Sequence, residues 1–86
     1  MLMSHDRMKS MTYEEYLRVP YVLIVESVEK PDGDWLRRAS YPELSGALVE
    51  AESAVEAIER VDDKRMEIIR DRLDRGLPVP VPRAPL

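Results

Sequence analysis

The chain has 86 residues and no cysteine, and its 17 acidic and 13 basic residues give a net charge of −4. Without cysteine, neither a disulfide framework nor a thiolate metal site can form, which favours a reducing, cytoplasmic location. No apolar stretch approaches the roughly 20 residues needed to cross a bilayer, so no membrane association is expected. Binding to a phosphate backbone requires clustered Lys and Arg, which the sequence lacks, so we expect a protein partner and no direct nucleic-acid binding.

A chain of 86 residues has room for only one small domain. A chain of this size buries roughly 60–65% of the surface that its unfolded form exposes, so its stability alone is modest. Self-association buries apolar surface that a single protomer leaves exposed to water. The sequence therefore predicts a homodimer or a higher homo-oligomer.

The first ten residues have no apolar run and predict a disordered tail, followed by a single domain over residues 11–86. Because Met11 stands at this boundary, the natural start is left open between Met1 and Met11. Thr12 and Glu15 have the spacing of a capping box, which predicts a short helical turn over 14–17. Pro20 ends this turn, because the residue before a proline is pushed out of the α region.

Two strands and a tight turn come next. Residues 21–28 are rich in β-branched side chains, and their first half is apolar on both faces, which predicts a central strand. Residues 30–34 form a turn in which proline presets φ and Asp32-Gly33 supplies the positive-φ positions of a hairpin. The return strand covers 35–39, and a third short strand begins at Leu48-Val49.

A long helix is predicted from Ala54 to about Arg75, with Ser53 as N-cap, Glu56 completing a capping box, and Gly76 as the stop. Its apolar side chains share one side of the helical wheel. They are Ala54, Val55, Ile58, Val61, Met66, Ile69 and Leu73. Three charged side chains interrupt this stripe: Asp62, Arg65 and Arg72. Two interpretations stay open: the three side chains snorkel at the edge of the sheet, or they make polar contacts across a subunit interface.

The chain ends in alternating prolines, Pro78, Pro80 and Pro82. Successive residues of a strand point their N–H groups to opposite edges, so these prolines remove the donors from one edge only. The segment is therefore predicted to be an edge strand. The expected fold class is α+β, with the order β-β-β-α-β and one helix packed on an antiparallel sheet.

Residues suited to catalysis are scarce. His5 is the only histidine and lies in the tail, and the nucleophile elbow and the glycine-rich phosphate loops are missing. The carboxylates Glu26, Asp32, Asp34 and Glu43 could in principle hold Mg²⁺, but aspartates beside a turn glycine are common for backbone reasons alone. We expect no enzymatic activity, no metal and no cofactor.

Between residues 16 and 82, five short motifs occur in the same order as in a known protein family. They are Pro20-Tyr21, the hairpin Asp32-Gly33-Asp34-Trp35, the loop Tyr41-Pro42-Glu43-Leu44-Ser45-Gly46, the helix start Glu52-Ser53-Ala54-Val55-Glu56-Ala57 and the ending Gly76-Leu77-Pro78-Val79-Pro80-Val81-Pro82. In this order the chain resembles the HicB-like antitoxins. Ala47 and Ala51 depart from the family pattern, which has cysteine and glycine there. Many antitoxins of this type carry a helix-turn-helix or ribbon-helix-helix module for operator binding after this ending, and residues 83–86 are too few for one, so operator binding by these 86 residues alone is not expected.

The resemblance implies a partial RNase H-like fold and a function as the partner-binding half of an antitoxin. Such a domain covers the catalytic surface of a small, basic HicA-like toxin, an mRNA interferase. The expected contact region is the loop Tyr41, Pro42, Glu43 and Leu44 with the exposed sheet face beside it. The alternative for Tyr41 and Leu44 is that they close the end of the core. The alternative function is an orphan structural module that self-associates without a toxin, and a nuclease is disfavoured.

Overall fold

The computed structural model describes residues 11–82, which form a three-stranded antiparallel sheet with one long helix packed on it. The elements are α1 (Tyr13–Leu17), β1 (Ile24–Glu29), β2 (Trp35–Ser40), β3 (Leu48–Ala51) and α2 (Ala54–Asp74). The α+β class, the hairpin, the third strand and the long helix are confirmed. The predicted tail over 1–10 and the question of the start residue lie outside the described residues.

The turn between β1 and β2 is tight, but only one of its residues has a positive φ. Pro31 and Asp32 have negative φ, and Gly33 has a φ of 92°. Gly33 donates its N–H to the Lys30 carbonyl at 2.9 Å, and Lys30 donates to Asp34 at 2.7 Å. The expectation of a positive φ at Asp32 was wrong. Proline at the first turn position favours a type I turn, after which glycine alone takes the left-handed conformation.

The strand order is β1-β2-β3, so β2 is central and β1 lies at an edge. The prediction of a central β1 was wrong. Residues 22–25 are apolar on both faces, yet each keeps 38–50% of its surface exposed. Their composition therefore reflects exposed apolar surface at the edge of this protomer rather than burial between two strands.

The two ends of α2 follow the predicted signals. The Ser53 hydroxyl accepts the Glu56 N–H at 3.1 Å, whereas the Glu56 carboxylate pairs with Arg60 and does not complete the box. At the other end, Gly76 has a φ of 70°. The N–H of Leu77 reaches the Arg72 carbonyl at 2.8 Å, which forms a Schellman motif. The capping box of α1, between Thr12 and Glu15, is complete.

Small side chains let α2 lie close to the inner face of the sheet. Ala39 on β2 and Ala57 on α2 are fully buried, and Ala51 is 5% exposed. The buried stripe of the helix runs through Ala57, Val61 and Ile69. Val55 and Ile58, which the helical wheel placed on the apolar side, are 67% and 36% exposed. The helix is thus rotated so that Ala57, Val61 and Ile69 are buried while Val55 and Ile58 stay exposed.

The predicted fourth strand is absent from the described residues, because residues 77–82 form no ladder. The three prolines remove the N–H groups of one edge, and the remaining donors, Val79 and Val81, bond to no strand within residues 11–82. The segment is instead held by side chains. The Tyr21 hydroxyl donates to the Pro80 carbonyl at 2.7 Å, and Val79 is buried in the core cluster.

Neither of the two described helices is long and apolar enough to span a membrane.

Candidate protein-binding surface

The face of the sheet opposite α2, here called the outer face, is not covered by any element of residues 11–82. Alternation along the paired strands places every second side chain on it. These residues are Ile24, Glu26, Val28, Leu36, Arg38, Ser40, Leu48 and Glu50. Ile24 is 41% exposed and Leu48 55%. The outer face is therefore an open surface on which apolar and charged side chains alternate in rows.

A row of charges crosses the middle of the outer face. Glu26, Arg38 and Glu50 lie directly opposite one another on the three strands. Arg38 donates Nη2 to a Glu50 carboxylate oxygen at 2.7 Å, and its Nη1 lies 3.6 Å from Glu26. This hydrogen bond to Glu50 raises the pKa of the Arg38 guanidinium. The row holds two carboxylates against one cation, so its net charge is negative.

The four predicted contact residues divide into two pairs. Tyr41 and Leu44 are buried, at 8% and 1% exposure, as the core-closing alternative predicts. Pro42 is exposed, and the half-buried Glu43 accepts the Val22 N–H at 3.2 Å. Pro42 and Glu43 thus lie at the surface of the loop, with Glu43 beside Val22 just before β1, while Tyr41 and Leu44 anchor the loop in the core.

The Tyr41 ring is the centre of a polar cluster that joins the loop to both helices. Its hydroxyl donates to Asp62 at 3.0 Å, and its ring packs edge-on against Tyr21 at 6.3 Å between centroids. Arg65 lies over the same ring at 5.3 Å, pairs with Asp62 at 2.9 Å and donates to the Leu17 carbonyl at 3.2 Å. The cluster therefore ties α1, α2 and the loop together.

The charges that interrupt the stripe of α2 are all engaged within the protomer. Asp62 and Arg65 belong to the Tyr41 cluster, and Arg72 donates to the Pro78 carbonyl at 3.1 Å. Arg65 is only 14% exposed at its side chain, so it does not snorkel into solvent. These side chains anchor flanking segments to the helix, and their bonds need no second subunit.

The buried tyrosines predict a loss of stability in alkaline solution. Burial raises the pKa of Tyr21 and Tyr41, and the hydrogen bond to Asp62 adds to the effect at Tyr41. Because the unfolded chain ionises first, this stabilisation is full below about pH 10 and falls as the pH rises through the higher native pKa. We expect Tyr41→Phe to reduce the fall in unfolding free energy between about pH 9 and 11, measured by denaturant titration. An equal fall in both proteins would contradict this.

The carboxylates considered as Mg²⁺ ligands are held apart by other bonds. Asp32 accepts the Asp34 N–H within the turn at 3.0 Å, Glu26 faces Arg38, and Glu43 accepts from Val22. No group of three or more potential ligand residues is close enough to hold a metal ion within residues 11–82.

No protein-family model, curated protein or solved structure matches this chain significantly. The sequence interpretation located the loop, but it did not assemble the outer face. Period-two alternation was its only signal, and the rows formed by Ile24, Arg38 and Leu48 depend on the strand register.

Proposed function

We propose that this chain is a HicB-like antitoxin domain, in the partial RNase H-like class, that binds and neutralises a small, basic HicA-like toxin in the cytoplasm. Five family motifs in the family order support the proposal. The β-β-β-α order of the sheet and helix agrees with it. Residues 78–82 stand where the family has its final strand.

The observation that carries the proposal is the open outer face beside Glu43. It combines apolar anchors, such as Ile24 and Leu48, with a charge row whose net charge is negative. An interface core needs apolar side chains, and a polar rim supplies specificity. The outer face has both kinds of side chain on a rigid sheet.

The charge of the chain suits the proposed partner. A ribonuclease must be basic to hold RNA, and this chain carries a net charge of −4. Opposite charges steer two proteins together and raise the rate of association. An acidic domain that sits on the basic RNA-binding surface also blocks access of the substrate. Neutralisation is thus achieved by steric cover and requires no catalytic group in this chain.

The alternative function is a self-associating module without a toxin. The apolar edge at residues 22–25 favours it, because this surface is exposed in the protomer and suits self-pairing. The two functions differ in one requirement. Only the antitoxin needs a neighbouring gene for a basic protein of about 60–80 residues with a central histidine.

Co-expression with that neighbour tests the proposal. We expect the two proteins to co-purify and the toxin to lose its ribonuclease activity. Glu43→Lys and Leu48→Glu are expected to weaken the complex by at least about tenfold, because one reverses a charge and the other places a charge among apolar contacts. Isothermal titration calorimetry at about 150 mM salt measures the effect.

Glu59→Lys is the matched control, because Glu59 is exposed on α2, away from the outer face. It makes the same charge change as Glu43→Lys and is expected to leave the affinity within about twofold. If no such neighbour exists, or if the two proteins fail to associate, the antitoxin proposal falls. If they associate but Glu43→Lys and Leu48→Glu bind as tightly as the unaltered chain, the outer face is the wrong site.

A further inference from the structure

The free edge of the sheet at β1 carries an unusual run of exposed apolar residues. Val22, Leu23, Ile24 and Val25 are consecutive, and each is between 38% and 50% exposed. Among residues 11–82, β1 pairs only with β2, so its other side has no strand partner there. An exposed apolar edge is a template on which another strand can pair.

Edge strands are usually protected by short length, bulges, proline or charged side chains, and of these β1 has only two glutamates, Glu26 and Glu29. Residues 22–28 contain no proline and no lysine, and the register with β2 runs without a bulge from Ile24 to Glu29. The opposite edge differs. β3 has only four residues, and the Arg60 guanidinium donates to its Glu50 carbonyl at 3.4 Å. The less protected edge is therefore that of β1, whose residues 22–25 carry no charge.

The outward-facing backbone groups of this edge follow from two hydrogen bonds. The Lys30 N–H donates across the hairpin to Asp34, and the Val22 N–H points the same way, to Glu43. Even-numbered residues of the strand thus turn their N–H and C=O groups towards β2. Leu23, Val25 and Ser27 turn theirs outwards, and no backbone group of residues 11–82 bonds them.

The inner face beside β1 is only sparsely covered, because α2 contacts β1 much less than it contacts β2 and β3. Arg60 contacts β3, and Ile68 lies 3.7 Å from the Cβ position of Gly46, so this flank of α2 faces the β3 side. Val55 and Ile58 lie on the other flank of α2 and are 67% and 36% exposed. The protomer thus leaves apolar side chains exposed both at this edge and on this flank of α2.

The C-terminal segment of the same chain does not provide the missing strand. Pro78, Pro80 and Pro82 have no N–H group, so only Val79 and Val81 can donate. Val79 is buried in the core cluster, and Pro80 accepts the Tyr21 hydroxyl, which holds the segment before β1 begins. Residues 22–25 keep their exposure with this segment in place.

We propose that a second copy of this chain pairs antiparallel along β1, with the two-fold axis at Ile24, to form a six-stranded sheet. In this register Leu23 pairs with Val25 of the second copy, and Val22 lies opposite Glu26. Apolar residues of the two copies thus lie opposite one another, and no glutamate of one copy lies opposite a glutamate of the other. A register centred on Glu26 would place two carboxylates in direct opposition, which is unfavourable.

The same symmetry accounts for the exposed flank of α2. A two-fold axis perpendicular to the sheet keeps both long helices on the same face of the six-stranded sheet. Val55 and Ile58 of the two copies then border one trough above the paired β1 strands. A single interface thus includes both the apolar edge and the apolar flank that the protomer leaves exposed.

A single engineered cysteine tests the register, because the natural chain has none. At the two-fold axis, Ile24 faces its own copy in a non-hydrogen-bonded pair with a Cα separation of about 4.5 Å, within the range for a disulfide. We expect Ile24→Cys at micromolar concentration to form a disulfide dimer at least about tenfold faster than Leu48→Cys. Leu48 is the matched control, because it lies on the same face at the opposite edge and is 55% exposed.

Sedimentation tests the association itself. The unaltered chain is expected to sediment as a dimer at tens of micromolar, and Ile24→Lys to shift it to the 10.0 kDa monomer. Circular dichroism checks that Ile24→Lys keeps its fold, as expected for a residue that is 41% exposed. The proposal is overturned if the unaltered chain is a monomer, if folded Ile24→Lys stays dimeric, or if Leu48→Cys crosslinks as fast as Ile24→Cys.

Discussion

Leu44→Ala is expected to lower the free energy of unfolding by about 2–5 kcal/mol, the range for removing a large buried aliphatic side chain. Leu44 is 1% exposed and belongs to the core cluster with Tyr41, Ala47, Val61 and others. Its loop is closed by backbone bonds, in which Tyr41 donates to Ala47 at 3.0 Å and Ala47 to Leu44 at 3.0 Å. The tight loop leaves little freedom to refill the cavity.

Leu48→Ala is the matched control for this substitution. The same residue type lies four positions later, where it is 55% exposed on the outer face, and its truncation is expected to change stability by about 0.5 kcal/mol or less. Both variants are measured by denaturant unfolding at one protein concentration, since association would stabilise the folded state. Equal losses for the two leucines would contradict the placement of Leu44 in the core.

The second large effect is expected at Arg65. Arg65→Met keeps the apolar stem but removes the guanidinium, and with it the ion pair to Asp62 and the bond to the Leu17 carbonyl. Breaking a fully buried pair costs about 3–5 kcal/mol. Asp62 is 43% exposed and can regain water, so we expect a smaller loss of about 2 kcal/mol.

Arg60→Met on the same helix separates this effect from the loss of any helical arginine. Arg60 pairs with Glu56 at 2.8 Å, but its side chain is 55% exposed. Exposed pairs at this spacing contribute about 0.3–0.5 kcal/mol. If Arg65→Met proves as mild as Arg60→Met, the cluster around Tyr41 does not anchor α1 as described.

The buried residues of the loop are poor probes of partner binding. Substitution of Tyr41 or Leu44 would remove core packing, so a loss of binding there could be a loss of folding. Glu43 and Leu48 are better probes, because a partner can reach them without disturbing the core. Because Tyr41 and Leu44 are buried, substitutions on the outer face test partner binding more directly than substitutions of these two residues.

The errors of the sequence interpretation have a common physical origin. The apolar run at 22–25 was interpreted as a central strand, because a strand that is apolar on both faces is usually buried between neighbours. In the protomer this run lies at an edge. Local composition reports that apolar surface exists, but it does not report whether the covering surface comes from the same chain or from another.

Within the described residues, the sequence by itself determined the local elements. Proline and glycine at 31 and 33 set the hairpin, Ser53 and Gly76 bound the long helix, and Thr12 with Glu15 capped the short one. Each depends on backbone conformation or on hydrogen bonds between residues close in sequence. Only the tertiary structure decided which face of the sheet stays open, that Tyr41 and Leu44 turn inwards, and that Arg65 reaches Leu17. Those outcomes depend on strand register and helix rotation, which are set by packing between segments far apart in the chain.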